Sequence, residues 1–511
     1  MSEEQNVPVT EEAAEQQSPN KGFFGKVDNF FQITAKGSNF KREIIAGLTT
    51  FMAMVYILMV NAGMFQFVIG GDNPYGAAYI ATAIGAVVGT LLMAFIAKMP
   101  LAQASGMGVN AFIVFTLVLG GTGLSYANCM VFTLLDGVIF LVLTATGLRQ
   151  KIFEAIPKAV RYAIPVGIGL FIAFIGMQNA KLIVVDGATL VTFASFNVLD
   201  KANSFATYVD GTVGGMLPAL VAIIGVIAIA ILSKKNVKGA ILWGILGSAA
   251  LYYILAAIGL AAGDEACKAI FSSISIDNPF TAFGAWGKDA VGKVFTEGFD
   301  FSTYLNADLF PDHNVGTLIV LLITTALSLC MIDMFDTIGT LYGACSKGDL
   351  LDENGVPLRM NQMMLSDAVA TCVGAIAGTS TVTTFVESSS GVAAGGRTGF
   401  TALVTALLFL ISMFLSPIAQ LIPSAATATA LIWVGVLMMT SVINVTWEDP
   451  AEAIVAFLTF IVMVLGYSIS KGIGIGIIAF IIVKACTGKI KEVSIPTWVI
   501  GVLFLATFIL T

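Results

Sequence analysis

Two short stretches of the sequence decide the fold: PLAQASGMG at residues 100–108 and GTSTVTTF at residues 378–385. Both are rich in small residues, and each lies about 60 residues after the first apolar run of its half of the chain begins. The β-branched residues 381–384 favour extended backbone, while Gly106 and Gly108 weaken a helix. The two stretches therefore predict two short strands, each leading into a half-helix.

The composition places these stretches in a membrane protein. Of 511 residues, 57% are hydrophobic and only 11% are charged, a balance that would leave a water-soluble protein with large exposed apolar patches. Fourteen or fifteen apolar runs recur between Ile44 and Leu510, most of them near the ~20 residues that a helix needs to cross a bilayer. We predict an all-α polytopic membrane protein with fourteen transmembrane helices that begin near Ile44, Ala77, Leu101, Ala127, Val160, Gly215, Lys238, Val315, Asn361, Thr384, Thr398, Pro423, Pro450 and Gly472.

The two ends of the chain do not fit this pattern of spans. Residues 1–21 contain five glutamates among Gln, Ser and Pro, and they predict a disordered acidic tail. In residues 22–42, phenylalanines alternate with lysines, which predicts either an amphipathic helix in the headgroup region or an ordinary linker. Residues 488–511 hold an additional apolar run, which either crosses the membrane as an extra helix or lies flat on it.

The basic residues predict the orientation of the chain in the membrane. Loops rich in Lys and Arg face the cytoplasm, and one side of the map of spans holds Lys98, Arg149, Lys151, Lys158, Lys234, Lys235, Lys347, Arg359 and Arg397. We therefore expect a cytoplasmic N-terminus in the cell membrane, that is, the inner or plasma membrane. Residues 263–314 then form a long extracytoplasmic loop.

The chain also shows signs of internal symmetry. Pro157 and Gly169 in the fifth span recur as Pro423 and Gly435 in the twelfth span, in both cases 266 residues later. Because seven spans per half is an odd number, the second half must enter the membrane in the opposite orientation, as an inverted repeat. Irregular backbone at membrane depth survives only where protein or a water-filled cavity satisfies its polar groups, so two breaks that converge at the midplane predict a binding site.

Carboxylates within the predicted spans are the candidate functional groups. A charge at the bilayer centre costs about 2.5–3.5 kcal/mol on insertion scales, so each carboxylate needs a reason. The candidates are Asp136, Asp333, Asp336, Asp367 and Glu387. Glu387 follows the second predicted strand and opens its half-helix, where unpaired N–H groups stabilise a negative charge. Asp333 and Asp336 are three residues apart and share one helical face.

Each of these acids also has a structural interpretation. Glu387 can be a capping residue without a ligand, and Asp136 and Asp367 can pair with hydroxyls or helix ends and serve only packing or proton access. Asn110, in GMGVNAF after the first predicted strand, is both a donor and an acceptor and stands opposite Glu387 in the repeat. It either orients a ligand or ties the strand down.

Three longer motifs carry a resemblance to a known family. ASGMGVNAF, MFDTIGTL and GTSTVTTFVESSSGVAAGGRTG together resemble the azaguanine-type purine permeases, a branch of the nucleobase-cation symporters, or nucleobase/ascorbate transporters. The resemblance runs from about Ile44 to Gly488. It implies a secondary active transporter that imports guanine, hypoxanthine or adenine by proton symport through alternating access.

The resemblance also implies an architecture like that of the uracil permeases. The core, or substrate, domain comprises helices 1 to 4 and 8 to 11, at residues 43–147 and 315–416. The gate domain comprises helices 5 to 7 and 12 to 14, at residues 148–262 and 417–487. The implied partners are a purine substrate, the lipid bilayer and a second copy of the chain in a homodimer, and no nucleic acid is expected.

Roles for particular residues follow from the same motifs. Glu387 matches the glutamate of the tenth helix that binds the base, Phe385 matches an adjacent aromatic position, and Asp336 matches the acid of the eighth helix. Asn110 matches the asparagine of the third helix in the purine branch. Thr384, at the end of the second predicted strand, completes the substrate-binding candidates.

Proton coupling is expected to rest on carboxylates. The uracil permeases carry a histidine four residues after the acid of the eighth helix, where this sequence has Thr340. The candidates for proton coupling or gating are therefore Asp336, Glu387, Asp333, Asp367 and Asp449, the last in WEDPAEA before the thirteenth span. No cofactor or metal is expected beyond the proton gradient.

Two other functions remain as alternatives. An anion transporter of the same architecture would hold bicarbonate, sulfate or a dicarboxylate at the half-helix N-termini, but two acids without an arginine in either break argue against a bound anion. A membrane enzyme is disfavoured because no histidine lies within the spans and no Ser-His pair is evident.

Overall fold

A computed structural model of the chain describes residues 22–147, 156–197, 204–209, 212–274, 276, 278–306, 308–348, 350–353 and 356–510. The predicted acidic tail at residues 1–21 lies outside the described residues. The first half contains α1 (Phe23–Phe31), α2 (Phe40–Phe65), α3 (Pro74–Ala97), β1 (Gln103–Ser105), α4 (Met107–Val118), α5 (Tyr126–Ala145), α6 (Lys158–Asn179), β2 (Ile183–Asp186), β3 (Leu190–Phe193), β4 (Thr207–Val209), β5 (Thr212–Gly214), α7 (Met216–Lys234) and α8 (Ala240–Ala261).

The remaining elements follow in the second half. They are α9 (Glu265–Ser272), α10 (Pro279–Asp289), α11 (Lys293–Thr296), α12 (Val315–Cys345), α13 (Met360–Ala377), β6 (Val382–Thr384), α14 (Ser388–Ala393), α15 (Gly399–Gln420), α16 (Ser424–Asn444), α17 (Pro450–Leu465), α18 (Ile469–Cys486) and α19 (Ile495–Leu510). Among the described residues, ten helices are long and apolar enough to cross a membrane: α2, α3, α5, α6, α7, α8, α12, α15, α16 and α18. The protein is a multi-pass membrane protein.

Each of the two interrupted stretches contains a strand, and the two strands pair with each other. β1 and β6 are antiparallel, with Gln103 opposite Thr384 and Ser105 opposite Val382. Two further backbone bonds extend the ladder, from Gly106 N to Thr381 O at 2.9 Å and from Phe385 N to Ala102 O at 3.1 Å. All residues of both strands are buried. The pairing satisfies backbone groups that would be costly in an apolar interior.

Glycines on two helices allow this strand pair to lie deep in the bundle. A Cβ atom on Gly89 of α3 would stand 2.7 Å from Cγ1 of Val382, and one on Gly374 of α13 would stand 2.8 Å from its Cγ2. Distances below 3.0 Å are shorter than real Cβ contacts allow, so α3 and α13 can approach the strand from two sides only with glycine here. The spacing of the small residues in both helices is that of close helix packing.

The residues that suggested a repeat lie at equivalent places in α6 and α16, and the two glycines among them approach each other closely. Pro157 and Pro423 stand at the N-caps of α6 and α16. A Cβ on Gly169 would be 2.9 Å from the Gly435 carbonyl oxygen, and one on Gly435 would be 2.5 Å from the Gly169 carbonyl oxygen. Mutual contact between equivalent residues is what a two-fold relation between two helices produces at its axis.

Several elements were not predicted from the sequence. β2 pairs with β3 and β4 pairs with β5 as two antiparallel hairpins, so the expected all-α chain carries strands beyond the central pair. Many hairpin residues are β-branched or aromatic, which suits extended backbone, but each strand is only three or four residues long and gives no long apolar run. Helices α9, α10 and α11 likewise occupy the predicted loop at residues 263–314. Within residues 22–42, α1 is helical and its Phe23 is 75% exposed.

Candidate functional site

Glu387 stands at the N-cap of α14, three residues after β6 ends. Its side chain is half-buried, and its Oε1 atom accepts a hydrogen bond of 2.6 Å from the hydroxyl of Tyr56. Tyr56 is fully buried and directly follows Val55, where the regular α-helical pattern of α2 is interrupted. The first N–H groups of α14, those of residues 388–390, donate to the carbonyl oxygens of residues 385–387, and the Glu387 side chain makes no cap hydrogen bond. The tyrosine hydroxyl is therefore the donor that stabilises a carboxylate at this position.

Asp336, on α12, lies beside the end of the strand pair. Its Oδ2 atom is 3.5 Å from the point where a Cβ on Gly106 would stand, and the hydroxyl oxygen of Thr381 is 3.4 Å from the same point. Gly106 is also the N-cap of α4. Asp336 is close enough to both Glu387 and Asp367 to interact with them electrostatically. The fold therefore brings two of the predicted acids, Asp336 and Glu387, to the two half-helix starts.

Asp367 is fully buried and connects α13 to this region through hydroxyl groups. Its Oδ2 atom accepts a 2.7 Å hydrogen bond from Thr337, the residue that follows Asp336. The hydroxyls of Thr337 and Thr383 are 2.8 Å apart, and Gln103 donates to Asp367 Oδ1 at 3.5 Å. This chain of contacts fixes α12 against both strands, and so determines where the neighbouring Asp336 stands.

Asn110, on α4, belongs to a buried polar cluster between the two halves. Its Oδ1 atom accepts hydrogen bonds from Ser105 at 2.9 Å and from Ser380. Its Nδ2 atom is buried and has no hydrogen-bond partner among the described residues, and the same is true of the Thr381 hydroxyl. A buried donor without a partner is costly, so both atoms are available to a polar ligand.

The other two substrate-binding candidates lie at the end of β6. Phe385 is 6% exposed, and its backbone N–H pairs with Ala102 across the strands. Thr384 is buried, and its hydroxyl accepts a 3.4 Å hydrogen bond from Gln103. Thr384 is thus held by the strand pair, while Phe385 is the aromatic residue nearest to Glu387 in the chain.

Three further acids named from the sequence lie on α5, on α12 and at the start of α17. Asp449 is exposed and caps α17 by accepting a 2.9 Å hydrogen bond from Ala451 N. Asp136 is fully buried on α5 and interacts electrostatically with Cys372 of α13. Asp333 is fully buried one turn before Asp336.

Sequence reasoning missed three polar groups around the acids: the hydroxyl of Tyr56, which donates to Glu387, that of Thr337, which donates to Asp367, and that of Thr381 beside Gly106. Tyr56, Thr337 and Thr381 are ordinary residues within apolar or β-branched runs, and no local pattern distinguishes them. Tyr56 is 331 positions from Glu387 in the chain. Within the described residues, neither Glu387 nor Asp336 forms an ion pair with Lys or Arg, so the site has donors but no fixed cation.

Comparison with known proteins identifies the family. The model of the Permease family, the nucleobase/ascorbate transporters, matches residues 41–475. The chain belongs to this family. As a nucleobase/ascorbate transporter family member it is a permease and not an enzyme.

Two curated relatives share most of the length of this permease. The guanine/hypoxanthine permease PbuO of Bacillus subtilis is 36% identical over 477 residues, covering 93% of this chain and 98% of that protein. The adenine permease AdeP of Escherichia coli is 34% identical over 481 residues, covering 94% and 95%. The matched range includes both strands, both half-helices and every acid of the candidate site.

A solved structure shows a similar fold. The transmembrane domain of the cyanobacterial bicarbonate transporter BicA superposes with a TM-score of 0.55 at 15% identity, covering 84% of this chain and 97% of that chain. At such low identity the likeness concerns the arrangement of helices alone. The permease therefore shares its fold with a transporter of a chemically different solute.

Proposed function

We propose that this permease imports purine nucleobases, namely guanine, hypoxanthine or adenine, by proton symport through alternating access. The observation that carries the proposal is the pairing of Asp336 and Glu387, two half-buried acids without a cationic partner among the described residues, beside the starts of the two half-helices. The names of the relatives, guanine/hypoxanthine permease and adenine permease, support the same substrate class.

The chemistry of a purine complements these groups. A purine presents ring and exocyclic N–H donors, which carboxylates accept in a site with little water. It also presents carbonyl or ring-nitrogen acceptors, for which Asn110 Nδ2 and the Thr381 hydroxyl are buried donors without another described partner. Phe385 offers an aromatic face for stacking against a flat base. The proposed substrate-binding residues are therefore Glu387, Asp336, Asn110, Phe385 and Thr384.

Proton coupling is proposed to act through the same acids. Protonation of Asp336 or Glu387 removes one of two neighbouring negative charges, which repel each other strongly in a poorly solvated site. Substrate and proton can then be released together when the site opens to the other side. Asp333, Asp367 and Asp449 remain secondary candidates, Asp367 through its contact with Thr337.

The proposed architecture is fourteen spans in two inverted repeats, with a cytoplasmic N-terminus in the cell membrane. In this count the spans beyond the ten long helices are α13, α17 and the two broken segments, β1 with α4 and β6 with α14. The antiparallel strand pair and the mutual contact of Gly169 with Gly435 support the inverted relation. The core domain, the gate domain and the homodimer are proposed as the resemblance implies them. Helix α19 is additional to the fourteen spans.

Anion transport is the second candidate function, because the fold is shared with a bicarbonate transporter. Two helix starts that converge can bind an anion. Here Glu387 occupies one start and Asp336 lies beside the other. An anion would stand next to two carboxylates, and the repulsion is of several kcal/mol at low dielectric. This arrangement favours the purine.

The deciding experiment measures uptake of radiolabelled hypoxanthine, guanine, adenine and uracil in cells that lack their own nucleobase carriers. Wild type should take up purines, a protonophore should abolish the uptake, and Glu387→Gln should reduce it at least tenfold. The matched control is Glu265→Gln, at an exposed position of α9, which should retain wild-type uptake. Uptake of labelled bicarbonate or sulfate without any purine uptake, at confirmed membrane expression, would reverse the assignment.

A further inference from the structure

Tyr56 differs from the other buried tyrosines in what its hydroxyl contacts. Tyr75, Tyr79 and Tyr126 donate to the backbone carbonyl oxygens of Ala419, Ser412 and Gly378, respectively. These contacts satisfy a hydroxyl and a helix end and have a structural role. Tyr56 instead donates to the carboxylate of Glu387 at 2.6 Å, a short, charge-assisted hydrogen bond.

The place of Tyr56 in the fold suits this contact. The α-helical pattern of α2 is interrupted at Val55, and Tyr56 begins the next segment with its side chain fully buried. Residues near it also hold the start of α14, because Ser388 donates to Ala102 and contacts Met54 Sδ at 3.9 Å. The first long helix, the strand pair and α14 therefore meet at Glu387.

We propose that Tyr56 is a positioning residue for the purine site, and this inference rests on the proposed binding of a purine by Glu387. The hydroxyl fixes Oε1 of Glu387 and stabilises the ionised carboxylate, the form that accepts a hydrogen bond from a purine N–H. A carboxylate offers about four acceptor positions, so a single donor from Tyr56 leaves acceptor positions for the base. Tyr56 thereby acts on the base through Glu387 and not by direct contact.

Loss of the Tyr56 hydroxyl should have an energetic consequence for purine binding. Without the hydroxyl, Glu387 can rotate away from its binding orientation, and its charged form loses one stabilising hydrogen bond. Charge-assisted hydrogen bonds correspond to changes of about tenfold to hundredfold in an equilibrium constant. Purine affinity should fall by about this factor, while the rate of transport at saturating purine should change little because no atom of Tyr56 joins the substrate.

The test compares Tyr56→Phe with Tyr79→Phe. Both substitutions remove one buried hydroxyl and keep the ring, but the hydroxyl of Tyr79 donates to the backbone of Ser412 at 3.0 Å. For Tyr56→Phe we expect KM for hypoxanthine uptake to rise about tenfold or more, with Vmax per membrane-inserted protein within about twofold of wild type. For Tyr79→Phe we expect KM to stay at the wild-type value.

A double-variant experiment separates this inference from the proposed function. Equilibrium binding of hypoxanthine to purified protein should weaken about tenfold for Tyr56→Phe, but adding Tyr56→Phe to Glu387→Gln should change it less than about twofold. If Glu387→Gln binds hypoxanthine like wild type, the proposed function of Glu387 is wrong. If Glu387→Gln loses binding while Tyr56→Phe matches Tyr79→Phe, the positioning role alone is overturned.

Discussion

The two interrupted segments share a backbone design and differ in the residue that begins each helix. β1 is followed by Gly106 at the N-cap of α4, and β6 is followed by Glu387 at the N-cap of α14. The first segment contributes neutral donors and acceptors, above all Asn110, while the second contributes the carboxylate. The fold thus supplies two similar half-helix starts, but only one carries a built-in negative charge. The acid near the other, Asp336, comes from α12.

This difference indicates how one fold can serve different solutes. The permease shares its arrangement of helices with a bicarbonate transporter. The side chains at the helix starts then determine whether the site attracts an anion or a hydrogen-bond donor. Changes that make the two segments more alike should therefore reduce purine transport.

The largest effect in this comparison is expected for Asn110→Asp, which places a carboxylate in the first segment as well. Asn110 is fully buried, and its Nδ2 donor would be replaced by a negative charge within a buried polar cluster. We expect purine uptake to fall by at least tenfold, because a buried carboxylate without a cationic partner is costly and the donor proposed for the base is lost. Uptake of labelled hypoxanthine measures the loss.

Asn314→Asp is the matched control for this charge change. Asn314 is the N-cap of α12 in an exposed position, where Asp is an equally good capping residue. Uptake by this variant should remain at the wild-type level. Wild-type uptake by Asn110→Asp as well would contradict the neutral role assigned to the first segment.

A smaller effect is expected for Gly106→Ala, which adds a methyl group between the two segments. The new Cβ would lie 3.0 Å from Cγ2 of Thr383 and 3.5 Å from Oδ2 of Asp336. We expect KM for hypoxanthine to rise about threefold to tenfold, because the methyl group displaces Asp336 or narrows the binding site. The corresponding loss of binding free energy is about 1 kcal/mol. Kinetics of uptake over a range of hypoxanthine concentrations would measure the shift.

Gly339→Ala provides the comparison for that methyl group. Gly339 lies on α12, one turn beyond Asp336, and a Cβ there meets no atom within 4 Å. Its KM should be unchanged, and the helix should be stabilised by up to about 1 kcal/mol. Equal KM values for the two variants would show that space at Gly106 is not limiting.

The smallest effects on transport are expected where helices pack against the strands. A Cβ on Gly374 would stand 2.6 Å from the Ser380 carbonyl oxygen, whereas one on Gly85 would meet only methyl groups of Val382 and Thr379, at 3.0 and 3.2 Å. Gly374→Ala should lower the free energy of unfolding by about 1–3 kcal/mol, because the backbone carbonyl of Ser380 cannot rotate away from the new methyl group. The loss should be smaller for Gly85→Ala, because side-chain methyl groups can shift. Thermal unfolding in detergent tests this order. A melting temperature of Gly85→Ala below that of Gly374→Ala would contradict it.

Local sequence signals predicted much of the element order. Helix α12 begins at Val315 and α17 at Pro450, as expected from the apolar runs, and strands occur within both predicted interruptions. Hydropathy and β-branching are properties of a few neighbouring residues, so they can be read directly from the sequence. The hairpins at β2–β5 were missed because their strands of three or four residues are too short to stand out as apolar runs.

The acids of the candidate site were named from the sequence because a charge in an apolar run is costly and therefore conspicuous. Which of these acids lie close together in the fold could not be predicted in the same way. Asp336 stands beside Gly106 and interacts electrostatically with Glu387, while Asp136 lies on α5 and Asp449 at the start of α17, and no local pattern separates these cases. Only the packing of α12 against the strand pair makes the distinction.

The sequence by itself determined that this chain is a membrane permease with two broken segments and buried acids, since composition and short motifs act locally. The tertiary structure decided that Tyr56 donates to Glu387 and that Thr337 links Asp367 to the strands. These contacts join residues from 30 to 331 positions apart. The packing of helices at small residues such as Gly89 and Gly374 determines which residues meet. No local sequence pattern specifies these meetings.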